Sequence, residues 1–368
     1  MESGEVRIGV LYNQESSIQR GEPYELLALQ ETTQVAHLLC ETIQSLGYPV
    51  FEIPVVGSLY DLQQRLSQLS PEDTFIFSVC DEFEGSGVGV ARVIALVEDM
   101  GFAHTGASPE TIILCTDKAA AKQRMAACGI PTPAYEVFTR PIQQARLSFP
   151  VFVKPVSEDG SLGIARSSVA RDQAELVERV QYVLEKYHQP ALVERFIPGR
   201  EFSVAMWGNE RVELLPISEI DYSRVRDPLR QFLTFHSKWV TESEEFTITP
   251  PRCPAALSGA ALQRVSAVAR RAFRSFGLRD FGRVDIRYYN GVPYVLDVNE
   301  IPDMDPASGF FSSAAKRGYS YPEAVKRVLE IALLRHRSQQ YGLVQQTARQ
   351  RARRRTGVAC RTKVAAVA

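Results

Sequence analysis

The sequence predicts an α/β N-terminal domain followed by an α+β body of two subdomains. Up to about residue 115, short β-branched or aromatic runs alternate with helical periodicity, the pattern of βαβ units on a parallel sheet. Beyond that point strands and hairpins dominate, with isolated helices between them. The chain's 368 residues and 45% hydrophobic content suffice for two or three cores and make disorder an unlikely default.

In the first unit, residues 1–115, VRIGVLY, PVFEIPVV, TFIFSV and FAHTG read as strands. TTQVAHLLCETIQSLGY, SLYDLQQRLSQL and GVARVIALVEDMG read as the helices between them. No GxGxxG follows the first strand, which argues against a dinucleotide site there. The second unit, 116–198, opens with TDKAAAKQRMAACGIPTP, a helix capped by Thr116 or Asp117 and stopped at Gly129, with Pro131 and Pro133 beyond. PVFVKPV, a loop, IARSSV, a helix near 171–187 and ALVERFI complete it. The third unit, 199–338, holds the strand EFSVAMW, a polar excursion from Asp221 to Pro251, a helix near 257–276, a hairpin over 281–299 and a last helix near 321–337.

Composition narrows the function. Forty-two basic against 43 acidic side chains leave a net charge of -1, so no global field favours nucleic acid or a membrane surface. The arginine-rich end, 339–368, reads as a disordered, solvated tail in preference to a nucleic-acid contact. Cys40, Cys80, Cys115, Cys128, Cys253 and Cys360 show no CxxC or metal spacing and suit a reduced compartment. No apolar run approaches the roughly 20 residues that span a bilayer, and MESGEVRIGVLY lacks a signal-peptide pattern. A soluble cytoplasmic protein is expected.

The hairpin FGRVDIRYYNGVPYVLDVN carries the first chemical signal. A two-residue Asn290-Gly291 turn would pair Val284 with Asp297 and put Asp285 and Asp297 on opposite faces. A three-residue loop, Tyr289-Asn290-Gly291, pairs Arg283 with Asp297 instead. Polarity favours the second register: Val284, Ile286, Tyr288, Tyr294, Leu296 and Val298 share one face, while Arg283, Asp285, Arg287, Asp297 and Asn299 share the other. Two carboxylates and an amide on one face offer hard oxygen ligands for Mg²⁺. Alternatively, Arg283 and Arg287 neutralise the acids in a salt-bridge ladder. The hairpin alone leaves both readings open.

Three further segments bear on the choice. VFVKPVSEDGSLGIARSS places Lys154 at a strand end before a loop with Gly160, Ser161 and Gly163, small residues that let backbone N–H groups approach phosphate. Lys118 opens a helix, where an ammonium is unfavourable unless an anion is near. ALVERFIPGREFSV offers Glu194, Phe196 and Glu201 as a carboxylate, ring and carboxylate for adenine and ribose. Each alone is matched by a bland reading: a turn, an exposed lysine, or a hinge with solvated glutamates.

Taken in order, GFAHTGASPETIILCTDKAAAKQRMAACGIPTP, FPVFVKPVSEDGSLGIA, ALVERFIPGREFSVA, FHSKW and FGRVDIRYYNGVPYVLDVNEIPDM resemble ATP-grasp enzymes of the D-alanine–D-alanine ligase type over about residues 75–335. The resemblance implies two α+β subdomains gripping ATP. It assigns Lys118, Lys154 and Lys238 to phosphates, the loop of Gly160, Ser161 and Gly163 to covering them, and Glu194, Phe196 and Glu201 to adenosine. Asp285, Asp297 and Asn299 would ligate two Mg²⁺ ions, with Mn²⁺ as an alternative, and Arg283 would stabilise the acyl-phosphate and the tetrahedral intermediate. Such enzymes phosphorylate a carboxylate and let an amine displace the phosphate. Family analogy also implies a homodimer.

Departures from the family's pattern bear on the substrate. YNQESSIQRGEPYELLALQE replaces a compact glycine-serine-glutamate segment, and no glutamate in it is assignable to the first substrate. Gly160 stands for a serine and Trp239 for a tyrosine, so the usual serine-tyrosine-glutamate loop network is expected to be absent. Asp297 replaces glutamate, Asp303 a glycine and Asp305 a small polar residue, while Ser308 matches a substrate-contacting serine. The expectation is an amino-acid or peptide ligase of specialised metabolism, with Asp303 and Asp305 reading a cationic or amino group of the acceptor; solvated loop acids or helix caps are the plainer alternative for that pair. D-alanine–D-alanine ligase itself and a non-catalytic ATP-binding regulator are the competing functions.

Overall fold

The computed structural model describes residues 6–14, 17–140 and 144–339. The expected basic tail from residue 340, with Cys360, lies outside them.

The first sheet is parallel, in the order β2 (Val50–Val55), β1 (Arg7–Asn13), β3 (Thr74–Ser78), β4 (Ala103–His104). Its central strands are buried at nearly every position because helices cover both faces. Helix α1 (Leu26–Ser45) turns the stripe Leu29, Val35, Ala36, Leu39 and Ile43 onto one face of the sheet. Helices α2 (Leu59–Leu66) and α3 (Gly87–Asp99) cover the other, and α4 (Pro109–Thr116) packs on α3. Helix α5 (Lys118–Ala127) follows at once, its N-cap Asp117 accepting the N–H groups of Ala119 and Ala120.

The second sheet is antiparallel, β5 (Tyr135–Phe138), β8 (Ala191–Arg195), β6 (Val151–Pro155), β7 (Val169–Ala170), with α6 (Gln173–Tyr187) on one face. The third runs β12 (Pro251–Arg252), β11 (Ser218–Ile220), β9 (Arg200–Trp207), β13 (Phe281–Tyr289), β14 (Val292–Asn299), with β10 (Glu213–Leu214) beside β9. The polar excursion between β11 and β12 holds two short helices, α7 (Phe235–Trp239) and α8 (Glu244–Ile248). Helix α9 (Gly259–Ser275) packs on β13 and β14, and α10 (Gly309–Arg317) follows the hairpin.

The helix over residues 321–339 joins the first and third sheets, its Val325, Val328, Leu329 and Ala332 sharing a core with Val10, Phe75, Trp207 and Phe281. Asp280, fully buried, ties the same junction. Its carboxylate accepts the Gly106 N–H at 2.9 Å, the Asn209 amide at 3.1 Å and Arg335 through Nε and Nη2 at 2.9 and 2.7 Å.

The hairpin corrects the expected register. Tyr289 pairs with Val292 across a two-residue turn in which Asn290 and Gly291 have φ of 48° and 79°, positive at both central positions as a type I′ turn requires. The three-residue loop does not form, and Arg283 pairs with Asn299, not Asp297. The register instead shifts between Asp285 and Ile286, so that Ile286 faces Val295 and Asp285 faces Asp297, with Leu296 the extra residue of a β-bulge. The parity change assigned to the loop is made by the bulge. Val295, in place of Tyr294 and Leu296, therefore joins Val284, Ile286 and Val298 in the core.

Arg335→Leu would leave Asp280 buried without its guanidinium. It is expected to lower the unfolding free energy by about 3–5 kcal/mol, read from the shift of the urea midpoint.

Candidate active site

Three lysines converge between the second and third sheets. Lys118 occupies the first turn of α5, and Lys122, one turn on, points the same way. Lys154 lies on β6 and bonds Glu194 of the adjacent β8 at 3.2 Å; Lys122 pairs with the same carboxylate. Lys122 also donates to Thr132 Oγ1 at 2.8 Å, and Thr132 passes the contact to the Val295 carbonyl at 2.9 Å, on the bulged strand. Lys118 Nζ lies 2.6 Å from Asp159 in the glycine loop and 3.3 Å from Asp297 on β14.

Burial opposes every charge here, and the partners decide the outcome. For Lys118, burial favours the neutral amine, but the carboxylates of Asp159 and Asp297 outweigh it and raise the pKa above the ordinary lysine value. Burial would raise the Glu194 carboxyl, yet Lys122 and then Lys154 hold it below its usual range. Asp297 is likewise depressed, Lys118 and Lys154 overcoming burial.

Arg283 grips Asp285 with Nε and Nη2, both at 3.0 Å, and the Asn299 amide donates to the same carboxylate at 3.0 Å. Arg287, the other member of the expected ladder, turns away to Glu201 at 2.7 Å. The ladder is thus made by Arg283 and Lys118. Among the described residues no group of three His, Cys, Asp or Glu gathers as metal ligands. Asp285 and Asp297 nevertheless face each other across the strand pair with Asn299 two pairs along on the same face, a hard-oxygen donor set compatible with Mg²⁺.

Of the residues expected around adenosine, Phe196 and Glu201 meet through Arg287, whose guanidinium pairs with Glu201 and lies 6.0 Å from the Phe196 ring centroid, while Glu194 is engaged by the lysines. Glu194 is inside β8 and held by the lysines, and Glu201 accepts the Tyr222 hydroxyl at 2.7 Å as well as Arg287. Phe196 also packs with Phe232, which meets Phe152 edge-on at 5.1 Å.

A cavity of about 140 Å³ opens where the first and third sheets meet. Its lining brings Lys238, Arg283 and Asn299 together with Glu31 and Asp81 of the first unit and Asp303. Burial, reinforced by Asp303, Asp305 and Asp81, pushes the Glu31 carboxyl up to about 7, and burial with Asp303 pushes Asp81 up to about 6. Lys238 is lowered by burial and by Arg283. Asp303 lines this cavity and also accepts the Asp305 N–H at 2.9 Å, and Asp305 caps the next turn by accepting the Ala307 N–H at 2.7 Å. Ser308 N-caps α10 through the Phe311 N–H.

Gly160, Ser161 and Gly163 all have positive φ, so the loop presents tight turns toward the lysines. Sequence reasoning missed Glu31, Asp81, Lys122 and Asp159. Lys122 was visible as the residue one helical turn beyond Lys118, and Asp159 as the loop acid before Gly160. Glu31 and Asp81 meet Asp303 only through the tertiary fold and left no local signal.

A family profile described as "D-ala D-ala ligase C-terminus" matches residues 125–330. A D-alanine–D-alanine ligase from Alcanivorax borkumensis is 32% identical over 254 residues, covering 69% of this chain and 76% of that protein. The Sinorhizobium fredii protein y4sG is 33% identical over 264 residues, covering 71% of this chain and 75% of its own length. Among solved structures, the Bacillus anthracis D-alanine–D-alanine ligase complexed with ATP superposes with a TM-score of 0.71 at 21% identity, covering 91% of this chain and 99% of that one, a likeness of fold. The cleft, the order of its residues and these relatives together place the chain in the D-alanine–D-alanine ligase family of ATP-grasp enzymes, which are ATP-dependent carbon–nitrogen ligases.

Proposed function

We propose that this protein joins an amino-acid carboxylate to an amine acceptor at the expense of ATP, through an acyl-phosphate, in specialised metabolism. The observation that carries the reading is a cavity lined by Lys238 and Arg283 together with Glu31, Asp81 and Asp303, alongside the buried cations Lys118 and Lys154 held by Asp159, Asp297 and Glu194. The relatives named as D-alanine–D-alanine ligases make that activity an equally compatible alternative.

On this reading Lys118 and Lys154 release Asp159, Asp297 and Glu194 in part to bind phosphate oxygens. Asp285, Asp297 and Asn299 would hold Mg²⁺, which when bound neutralises phosphate charge. Arg283 and Lys238 stabilise negative charge that develops as the carboxylate is phosphorylated and as the amine then adds. The glycine loop excludes water from the acyl-phosphate. Phe152, Phe196 and Phe232 provide the apolar surface for a base, with Glu201 at its edge. Asp303, backed by Glu31, Asp81 and the nearby charge of Asp305, selects an acceptor that carries a cationic group.

Arg283→Met is expected to lower substrate-dependent phosphate release about 10²–10³-fold, measured by coupled ADP detection with ATP and Mg²⁺. A screen of amino-acid and amine pairs with mass spectrometry of the product identifies the partners. Release driven by D-alanine alone selects the alternative, and ATP binding with no release across the panel would leave a regulatory role. Replacing Asp303 with glycine and Asp305 with threonine is expected to shift preference from cationic toward neutral acceptors; an unchanged profile removes the acidic wall from the reading. Because Glu31 is pushed up to about 7, its carboxylate form grows as pH rises through that value. KM for a cationic acceptor should therefore fall between about pH 6 and 8, and Glu31→Gln should flatten that profile.

A further inference from the structure

The glycine loop, residues 157–165, is fastened from two sides by contacts that no phosphate ligand requires. On one side the Trp239 indole N–H donates to the Gly160 carbonyl at 2.7 Å, and the ring lies so close that a Cβ on Gly160 would sit 3.6 Å from it. On the other side Glu25, only 1% exposed, accepts the Gly163 N–H at 2.8 Å and is itself held by the Tyr187 hydroxyl at 2.9 Å. Arg20 adds an ion pair to Glu158 at 2.5 Å.

The two sides also touch each other. Tyr24 packs against Phe235 and His236 of α7 at 5.3 Å each, so the segment carrying Arg20 and Glu25 rests on the helix carrying Trp239. The next contact reaches the chemistry. Lys238 Nζ stands 4.3 Å over the Trp239 ring, a cation–π distance. One indole therefore holds the loop by its edge and seats the catalytic-end lysine on its face.

We propose that Trp239 is a positioning residue that couples closure of the 157–165 loop to the placement of Lys238, with Glu25 as the opposing anchor, so that the loop shuts only when the 20–25 segment is docked. The inference rests on the ligase reading in one respect, that the loop covers the nucleotide's phosphates. In place of the absent serine-tyrosine-glutamate network, this chain fastens the loop through a backbone carbonyl on one side and a backbone N–H on the other. Neither fastening depends on the side chain at position 160, which explains how glycine is accommodated there.

The test uses the full chain. Its two tryptophans are separable, since Trp207 is 1% exposed in the core and Trp239 lies at the cleft. The change in Trp239 emission on adding ATP with Mg²⁺ is expected in the wild type and diminished in Glu25→Ala, which keeps the reporter but removes the opposing anchor. ATP with Mg²⁺ should protect the loop from limited proteolysis in the wild type and protect it less in both Trp239→Phe and Glu25→Ala. Under turnover, Trp239→Phe should raise KM for ATP about 2–12-fold, the worth of one hydrogen bond, while Trp239→Leu should lower kcat as well, because Lys238 loses its seat. Circular dichroism of each variant establishes folding. Wild-type loop protection and KM in Trp239→Phe, with a wild-type emission response in Glu25→Ala, would overturn the clasp while leaving the ligase reading intact. Loss of protection and emission change in a chain that turns over no substrate pair would uphold the clasp and count against the ligase reading alone.

Discussion

The Lys118 ammonium, buried between Asp159 of the glycine loop and Asp297 of the third sheet, is the contact on which the arrangement of the cleft depends. It joins three pieces that share no backbone hydrogen-bond ladder: the start of α5, a loop of the second sheet and the last strand of the third. Its energetic character matters as much as its position. Buried ion pairs gain little net stability over an apolar packing, because desolvation consumes most of the Coulomb attraction. They are instead costly to break on one side only. On the proposed ligase reading, these buried cations would exchange partners, pairing with phosphate oxygens as the carboxylates turn to another cation.

That exchange gives a physical account of why the same residues look like a salt-bridge network and like a nucleotide site. Lys122, Lys154 and Glu194 repeat the motif deeper in the cleft, and Arg283 with Asp285 repeats it at the cavity. Opposite charges balance along the cleft wall up to the cavity, where Glu31, Asp81 and Asp303 set three carboxyl groups near Lys238 and Arg283. Burial, reinforced by the mutual repulsion of these acids, raises the Glu31 and Asp81 carboxyls toward neutrality, and a cationic group in that place would offset it.

Much of this was legible before any coordinates. The alternation of strands and helices announced the parallel sheet, and the lysines, the glycine loop, Arg283 and the hairpin acids lie in segments whose local texture marks them. The loop network was different. Replacement of serine and tyrosine suggested a missing latch, but hydrogen bonds to backbone atoms leave no trace in side-chain identity, so Trp239 and Glu25 could not be paired by reading. Asp303 and Asp305, two apart in sequence and alike in charge, read as a pair; both accept a backbone N–H in the turn after β14, and Asp303 alone of the two also lines the cavity.

By itself, the sequence determined the kinds of elements and the chemistry each carries, because hydrophobic period, turn residues and charge are local properties. It also determined that Asp285 and Asp297 must share a face, since two buried hydrophobic runs leave no other place for them. How they do so was decided by tertiary structure: the Asn-Gly turn kept its favoured two-residue form, and the third sheet absorbed the parity mismatch in a bulge at Leu296. The acidic wall and the two-sided loop clasp were decided there as well. Both depend on residues from distant segments meeting across the junction of the sheets, a juxtaposition that packing creates and no local pattern encodes.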